Sequence, residues 1–258
     1  MKRIVRVCWI VWVSMGLGAR ADDAAPKLEP GKAVTIEFPE MPPTMYESIH
    51  HERTKPAMTI SLPKNYDAAK KFPLLVFLQG GDGSAARQAN VARAVTELQD
   101  FVCVSMPYFR KSIEKPELKI LEEDYRFMWP LHKQMLARLD QLVPNIDPQR
   151  RVIGGFSNGG HTTAAMIDII GDEFTSYFSA YLFVEGGFKL QHFERIKGKP
   201  LLVLWGGARD RDWDTIVGEP ARAAGVNVTM HKMEGVGHDF PVKEYPVVRE
   251  WLRAFRDQ

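Results

Sequence analysis

Cysteine is almost missing from this 258-residue chain, which has only Cys8 and Cys103. Two residues cannot build a disulfide framework, and Cys103 sits in the apolar run "FVCVSM", where a cysteine acts as a small buried hydrophobe. Cys8 falls in a segment that reads as a cleaved leader, so Cys103 would stand alone and the core must hold the fold together without crosslinks. Net charge is nearly missing as well. A formal +2 is too small to point to nucleic acid or an anionic membrane surface as partner. No apolar run is long enough to span a bilayer comfortably, so no stable membrane anchor is expected. The glycines of "QGGDGS" are not followed by the Lys-Ser/Thr of a phosphate loop. No Asp, Glu or Cys at ligand spacing accompanies His50-His51, so these read as solvated histidines and no metal is expected. There are no internal repeats and no low-complexity tract.

What is present begins with "MKRIVRVCWIVWVSMGLGARADDAAP". Lys2, Arg3 and Arg6 precede an apolar run from Val7 to Leu17, and Ala19-Arg20-Ala21 supplies a small-x-small cleavage pattern. Residues 1–21 are read as a signal peptide, with 22–258 as one domain exported to the periplasm or beyond. Cys8 lies mid-run and is not placed as a lipoprotein cysteine. Removing the leader takes Lys2, Arg3, Arg6 and Arg20 from the 34 basic residues; the remaining 30 face 32 acidic ones, a formal −2.

With 45% hydrophobic residues the chain can bury a sizeable single core. The apolar runs alternate with helical patterns. Strands are expected at Val34–Phe38, "MTISL", "PLLVFLQ", "FVCVSM", "RVIGG", "SAYLFV", "PLLVLW" and "VNVTMHKM". Helices are expected near Ala86–Leu98, Leu131–Leu142, after Ser157, near Leu190–Ile196, near Asp214–Ala224 and over Lys243–Phe255. Residues 107–130 show no clear period and read as a surface excursion leading into a helix. Continuous apolar strands separated by helices predict an α/β fold, a mostly parallel central sheet with helices on both faces and no large lid.

Gly155-Phe156-Ser157-Asn158-Gly159 fits the G-x-S-x-G pattern between a predicted strand and a predicted helix. The serine of such a turn is exposed at the carboxyl edge of the sheet, and its crowded neighbours must lack side chains. The pentapeptide alone is a weak signal, so the chemistry rests on partners. A serine hydroxyl needs a base, and the base a carboxylate, in the chain order Ser, acid, His. His238 lies in the glycine-flanked loop "EGVGHDF" after the last strand. Asp210, in "GGARDRDWD", is the first choice for the acid and Asp212 the alternative. Asp214 is a further competitor, and Glu185, after "SAYLFV", a remoter one. Arg209 and Arg211 flank Asp210, so a solvated salt-bridged loop is the rival account of that cluster. His161, one helical turn past Ser157, is expected to face helix packing; His192 falls in a polar helix and His231 in a strand. Backbone N–H groups of Asn158 and of Gly81 or Asp82 are the candidates for holding an oxyanion. Tyr108, Phe109, Tyr125, Phe127 and Trp129 fit a cleft wall or ordinary packing equally well, as does Trp213. "NVT" at Asn227 matches a glycosylation sequon but falls in a strand.

The stretches "SLPKNYDAAKKFPLLVFLQGGDG", "IDPQRRVIGGFSNGG", "LLVLWGGARD" and "GVGHDF" resemble those of α/β-hydrolases. The resemblance is to small exported serine esterases of the polyhydroxybutyrate-depolymerase, feruloyl-esterase and dienelactone-hydrolase kinds. The family's nucleophile, acid and base positions fall on Ser157, Asp210 and His238. The resemblance implies two-step cleavage of a carboxylic ester, small or polymer-borne, without cofactor or metal. Two departures stand out. Gln79-Gly80 occupies the place where the family usually has His-Gly, and the nucleophile is Ser where dienelactone hydrolases use Cys. The alternatives are a peptidase of the prolyl-oligopeptidase kind, whose β-propeller is absent here, and a non-catalytic binding protein on the same fold.

Overall fold

The computed structural model describes residues 26–41, 56–81, 91–108, 122–207 and 211–258. The leader, Phe109, His50-His51, Asp82, Arg209 and Asp210 lie outside the described residues. The strands are β1 (Ala33–Glu37), β2 (Ala57–Ser61), β3 (Phe72–Leu78), β4 (Val102–Ser105), β5 (Ile146–Phe156), β6 (Ala180–Val184), β7 (Pro200–Gly206) and β8 (Asn227–Met233). They form one eight-stranded sheet in the order β1-β2-β4-β3-β5-β6-β7-β8. β1 and β2 run antiparallel to their neighbours, and every pairing from β4 across to β8 is parallel.

Parallel strands need crossovers, and the helices supply them on both faces. In β3, Leu74, Val76 and Leu78 enter one core cluster while Leu75 and Phe77 enter the other. That two-sided burial is why the strand reads as an unbroken apolar run. The first face carries α2 (Glu122–Leu142), α3 (Asn158–Ile170) and α4 (Asp172–Tyr177). The second carries α1, described over 91–95, and α6 (Tyr245–Arg256), whose Val248, Leu252 and Phe255 recur at helical spacing. The short α5 (Glu219–Ala223) follows a π-turn at Asp214–Gly218. Among the described residues no helix is long and apolar enough to cross a membrane.

Several elements depart from expectation: α4 had no counterpart in the sequence reading, and β5 begins at Ile146, ahead of "RVIGG". α2 starts nine residues before Leu131, because Pro130 lies inside the helix. Proline removes one hydrogen bond to the preceding turn, but Pro130 is on the exposed side, where water can serve the freed carbonyl. The buried stripe Tyr125, Met128, Trp129, His132, Met135, Leu136 and Leu139 runs through it without a break. The stretch 190–196 condenses to a single 3-10 turn at Phe193–Ile196.

Candidate active site

Ser157 stands between β5 and α3 with φ 51° and ψ −115°. A positive φ is costly for a residue with a side chain, so the surroundings must enforce it. They do so by close approach. A Cβ on Gly155 would fall 2.3 Å from the Leu78 carbonyl oxygen, and one on Gly159 would fall 2.1 Å from the same atom. Both glycines of the pentapeptide are thus required by the end of β3 pressing into the turn. The turn is also pinned to β6, since Ser157 N–H donates to Val184 C=O at 2.8 Å.

Ser157 Oγ lies 2.7 Å from His238 Nε2. His238 Nδ1 in turn lies 2.9 Å from Glu185 Oε2, and the imidazole stacks on Phe156 with ring centroids 5.3 Å apart. Because a carboxylate can only accept, Nδ1 carries the proton and Nε2 presents its lone pair to the serine hydroxyl. Glu185 is 3% exposed. Its other oxygen, Oε1, accepts from the Gly206 N–H, so the buried charge meets a donor on each side.

Sequence put Asp210 first for the carboxylate and Glu185 among the remoter competitors. Asp210 lies outside the described residues, and the position against His238 Nδ1 is taken by Glu185. The alternative, Asp212, is turned to another task. Its carboxylate is exposed and accepts from Thr215 N–H, Thr215 Oγ1 and Asp214 N–H at 3.2, 2.9 and 3.1 Å. These bonds, led by the Thr215 amide, hold it below the usual carboxylate range. Asp214 pairs with Arg222 at 2.8 Å. The signal for Glu185 was in "FVEGG": a lone carboxylate between a buried strand and two glycines, like the serine in "FSNGG". Like Ser157, Glu185 has a φ of 51°.

Two of the oxyanion candidates, Asn158 and Gly81, stand at the same edge as Ser157. Asn158 is the first residue of α3, so its N–H has no acceptor within the helix and sits at the positive end of the helix dipole. Its side-chain Nδ2 donates to Gly81 C=O at 3.2 Å. Gly81 is exposed with φ +69°, while Gly80 packs so closely that a Cβ there would lie 3.1 Å from Ser157 Cβ. Gly81 is thus beside the nucleophile; Asp82, the other oxyanion candidate, lies outside the described residues.

The remaining histidines separate. His161 is half-buried and meets Phe188 edge-on at 5.6 Å, rather than being lost in helix packing. Burial chiefly, then Lys189 and His238, lowers its affinity for a proton. Phe188 stacks on Trp213 at 3.4 Å. His192 pairs with Glu194 at 2.9 Å and His231 with Glu244 at 2.8 Å. Of the aromatics between 106 and 130, Tyr108, Tyr125 and Trp129 are buried; Phe127, at 47% exposure, faces water. Among the described residues no group of three or more His, Cys, Asp or Glu could hold a metal ion.

A mostly parallel eight-stranded sheet with a serine elbow after β5 and its histidine after β8 defines an α/β-hydrolase fold. The chain belongs to the esterase family, described as "Putative esterase", whose model matches residues 50–231. Among curated proteins none matches it in sequence. Solved structures share the fold. A thermostable esterase is 20% identical with a TM-score of 0.57; the match covers 86% of this chain but only 62% of that longer one. The hyperthermophilic esterase of Pyrobaculum calidifontis is 16% identical with a TM-score of 0.62, covering 89% of this chain and 87% of that one. Thermogutta terrifontis esterase 2, solved phosphoramylated by tabun, is 16% identical with a TM-score of 0.58, covering 89% and 95%.

Proposed function

We propose that the protein is a serine hydrolase of carboxylic esters, with Ser157 as nucleophile, His238 as base and Glu185 as the carboxylate that orients and balances it. The observation that carries this reading is the unbroken relay from Ser157 Oγ to His238 at 2.7 Å and from His238 to Glu185 at 2.9 Å. In the first half-reaction Oγ attacks the acyl carbon while its proton passes to Nε2. The carbonyl oxygen becomes an oxyanion, held by the Asn158 N–H and by the N–H of Gly81 or Asp82. Nε2–H then protonates the leaving alcohol oxygen, the ester C–O bond breaks, and an acyl-serine remains. In the second half-reaction Nε2 takes a proton from water, whose oxygen attacks the acyl carbon. The returning proton restores Ser157 as the acid departs. Protons and electrons balance over the two half-reactions with water as the only co-reactant, so the reaction needs no cofactor.

Membership of an esterase family supports an ester as substrate. The neighbour phosphoramylated by tabun points to an organophosphorus probe. A fluorophosphonate should label wild-type protein at Ser157, found by peptide mapping, and p-nitrophenyl acetate should turn over. Ser157→Ala should lose both. Cleavage of a peptide anilide in preference to the acetate would favour the peptidase alternative, and a folded protein that neither labels nor turns over would leave only the binding alternative. Action outside the cytoplasm is part of the proposal and rests on the leader pattern of residues 1–21.

A further inference from the structure

Pairing between β3 and β4 stops early. Ladder partners run from Leu74↔Val102 to Val76↔Val104, whereas β3 continues to Leu78 beside β5. Past Val76 the carbonyls that point towards β4 need other donors, because a buried C=O left without one is costly. Two side-chain hydroxyls take over. Ser105 Oγ donates to Phe77 C=O at 3.1 Å, and Tyr108 Oη donates to Gln79 C=O. Both residues are buried.

The second of these bonds bears on the site. Gln79 C=O shares a peptide plane with Gly80 N–H, and in a trans peptide the two point in opposite directions. Holding the carbonyl fixes the amide and the direction in which the chain enters the Gly80–Gly81 turn. That turn rests against Ser157 at Gly80 and is tied to α3 at its other end by Asn158 Nδ2 on Gly81 C=O. Tyr108 is itself braced from α2, where His132 Nε2–H donates to the adjoining Pro107 C=O at 2.8 Å. His132 is fully buried, and burial pushes its pKa down to about 4. It therefore stays a neutral donor at ordinary pH.

We propose that Tyr108 is a positioning residue for ester hydrolysis, its hydroxyl aiming the Gly80–Gly81 turn at the oxyanion that forms on the substrate carbonyl when Ser157 attacks it. The role rests on the acyl-transfer reading above. Tyr108 exchanges no proton and forms no bond with substrate. Its effect is confined to the tetrahedral state, because the aimed amides bind the oxyanion more strongly than the ground-state carbonyl.

The test compares Tyr108→Phe with Ser105→Ala in the full chain. Ser105→Ala removes the neighbouring hydroxyl tie, one that does not reach the turn. With p-nitrophenyl acetate, Tyr108→Phe should lose about tenfold in kcat with KM within about twofold, less than the hundredfold or more typical of deleting an oxyanion donor outright. Phenylboronic acid, which adds to a serine as a tetrahedral anion, should bind Tyr108→Phe more weakly by the same factor. Ser105→Ala should keep kcat and boronate affinity while its melting temperature falls. The role is overturned if Tyr108→Phe matches wild type in kcat and boronate affinity, or if the two variants behave alike. It is also overturned if Tyr108→Phe fails to fold, since the hydroxyl would then be a folding determinant of the β3–β4 edge. Ser157→Ala run in parallel distinguishes the failures. Residual turnover there sinks the acyl-transfer reading as well, whereas an inactive Ser157→Ala beside an unaltered Tyr108→Phe sinks the positioning role alone.

Discussion

Two carboxylate-bearing segments stand at the same edge of the sheet, one after β6 and one after β7, and they are built in opposite ways. The β6 turn buries Glu185 to 3% exposure and holds it at a strained φ of 51°. Both its oxygens face N–H donors. In the described part of the segment after β7 the carboxylates of Asp212 and Asp214 reach solvent, although Trp213 between them is buried. There Asp212 accepts from its own following residues and opens the π-turn, while Asp214 pairs with Arg222. A carboxylate satisfied locally on the surface has nothing left to orient an imidazole. One that is buried, strained and shared with another strand has been positioned by the whole fold.

The path of the histidine loop explains which segment is chosen. A Cβ on Gly206, the last residue of β7, would lie 2.1 Å from the Gly237 carbonyl oxygen and 2.4 Å from that of Val236. The backbone preceding His238 therefore crosses directly over the end of β7. It carries the imidazole past that strand to the β5–β6 side, where Ser157 and Glu185 wait.

The sharpest way to break the contrast is steric. A Cβ on Gly186 would sit 2.3 Å from the Ser157 carbonyl oxygen, a backbone atom, whereas the one close contact of a Cβ on Gly207 would be Lys232 Cε, near the end of a long side chain, at 2.7 Å, with Glu234 Oε2 and the Met233 carbonyl at ordinary distances of 3.4 and 3.5 Å. Gly186→Ala is expected to cost about 3 kcal/mol in urea unfolding, at the upper end for overpacking. Where it folds, the displaced elbow should lower kcat/KM on the order of a hundredfold. Gly207→Ala should change stability by less than about 1 kcal/mol and leave turnover alone.

A second prediction separates acid unfolding from both carboxylates. His132 has its pKa lowered by burial to about 4 from 6.5, so the unfolded chain binds the proton first. Stability gained from keeping it neutral is full above pH 6.5, falls as the pH drops towards 4 and is gone below that. The amount is about 3 kcal/mol. Urea unfolding of His132→Gln from pH 4 to 7 should show a flatter slope than wild type, while Glu185→Gln should keep the His132 slope. The smallest effect belongs to Asp212→Ala, which removes the contacts to Thr215. A modest fall in melting temperature is expected, with kcat within about twofold of wild type.

Much of the fold was legible because its physics is local. A strand buried on both faces must be continuously apolar, and "PLLVFLQ", "SAYLFV" and "PLLVLW" announce themselves as β3, β6 and β7. The serine elbow was legible for the same reason, since its glycines are demanded by contacts within one turn. The start of α2 was hidden because a proline looks like a boundary in sequence, and only the buried stripe through Trp129 and His132 shows that it is not. The carboxylate that lies against His238 was not singled out on sequence, for other reasons. Chain order says that an acid falls between Ser157 and His238, and both Glu185 and Asp210 satisfy it. Which of them the histidine reaches depends on how the loop after β8 drapes over Gly206, a contact between residues thirty apart that no local pattern records. The tie from Tyr108 to Gln79 is equally non-local.

The account turns on Glu185, and the most direct measurement is kcat/KM for p-nitrophenyl acetate in Glu185→Gln and Asp210→Asn, assayed side by side with folding checked by circular dichroism. An amide at position 185 can no longer fix the Nδ1–H tautomer or balance the imidazolium, a change that costs about 10⁴-fold in kcat in a Ser-His-Asp protease. Glu185→Gln should therefore fall by at least about a thousandfold, with Asp210→Asn within about threefold of wild type. A large loss in Asp210→Asn beside a nearly unaltered Glu185→Gln would contradict the account.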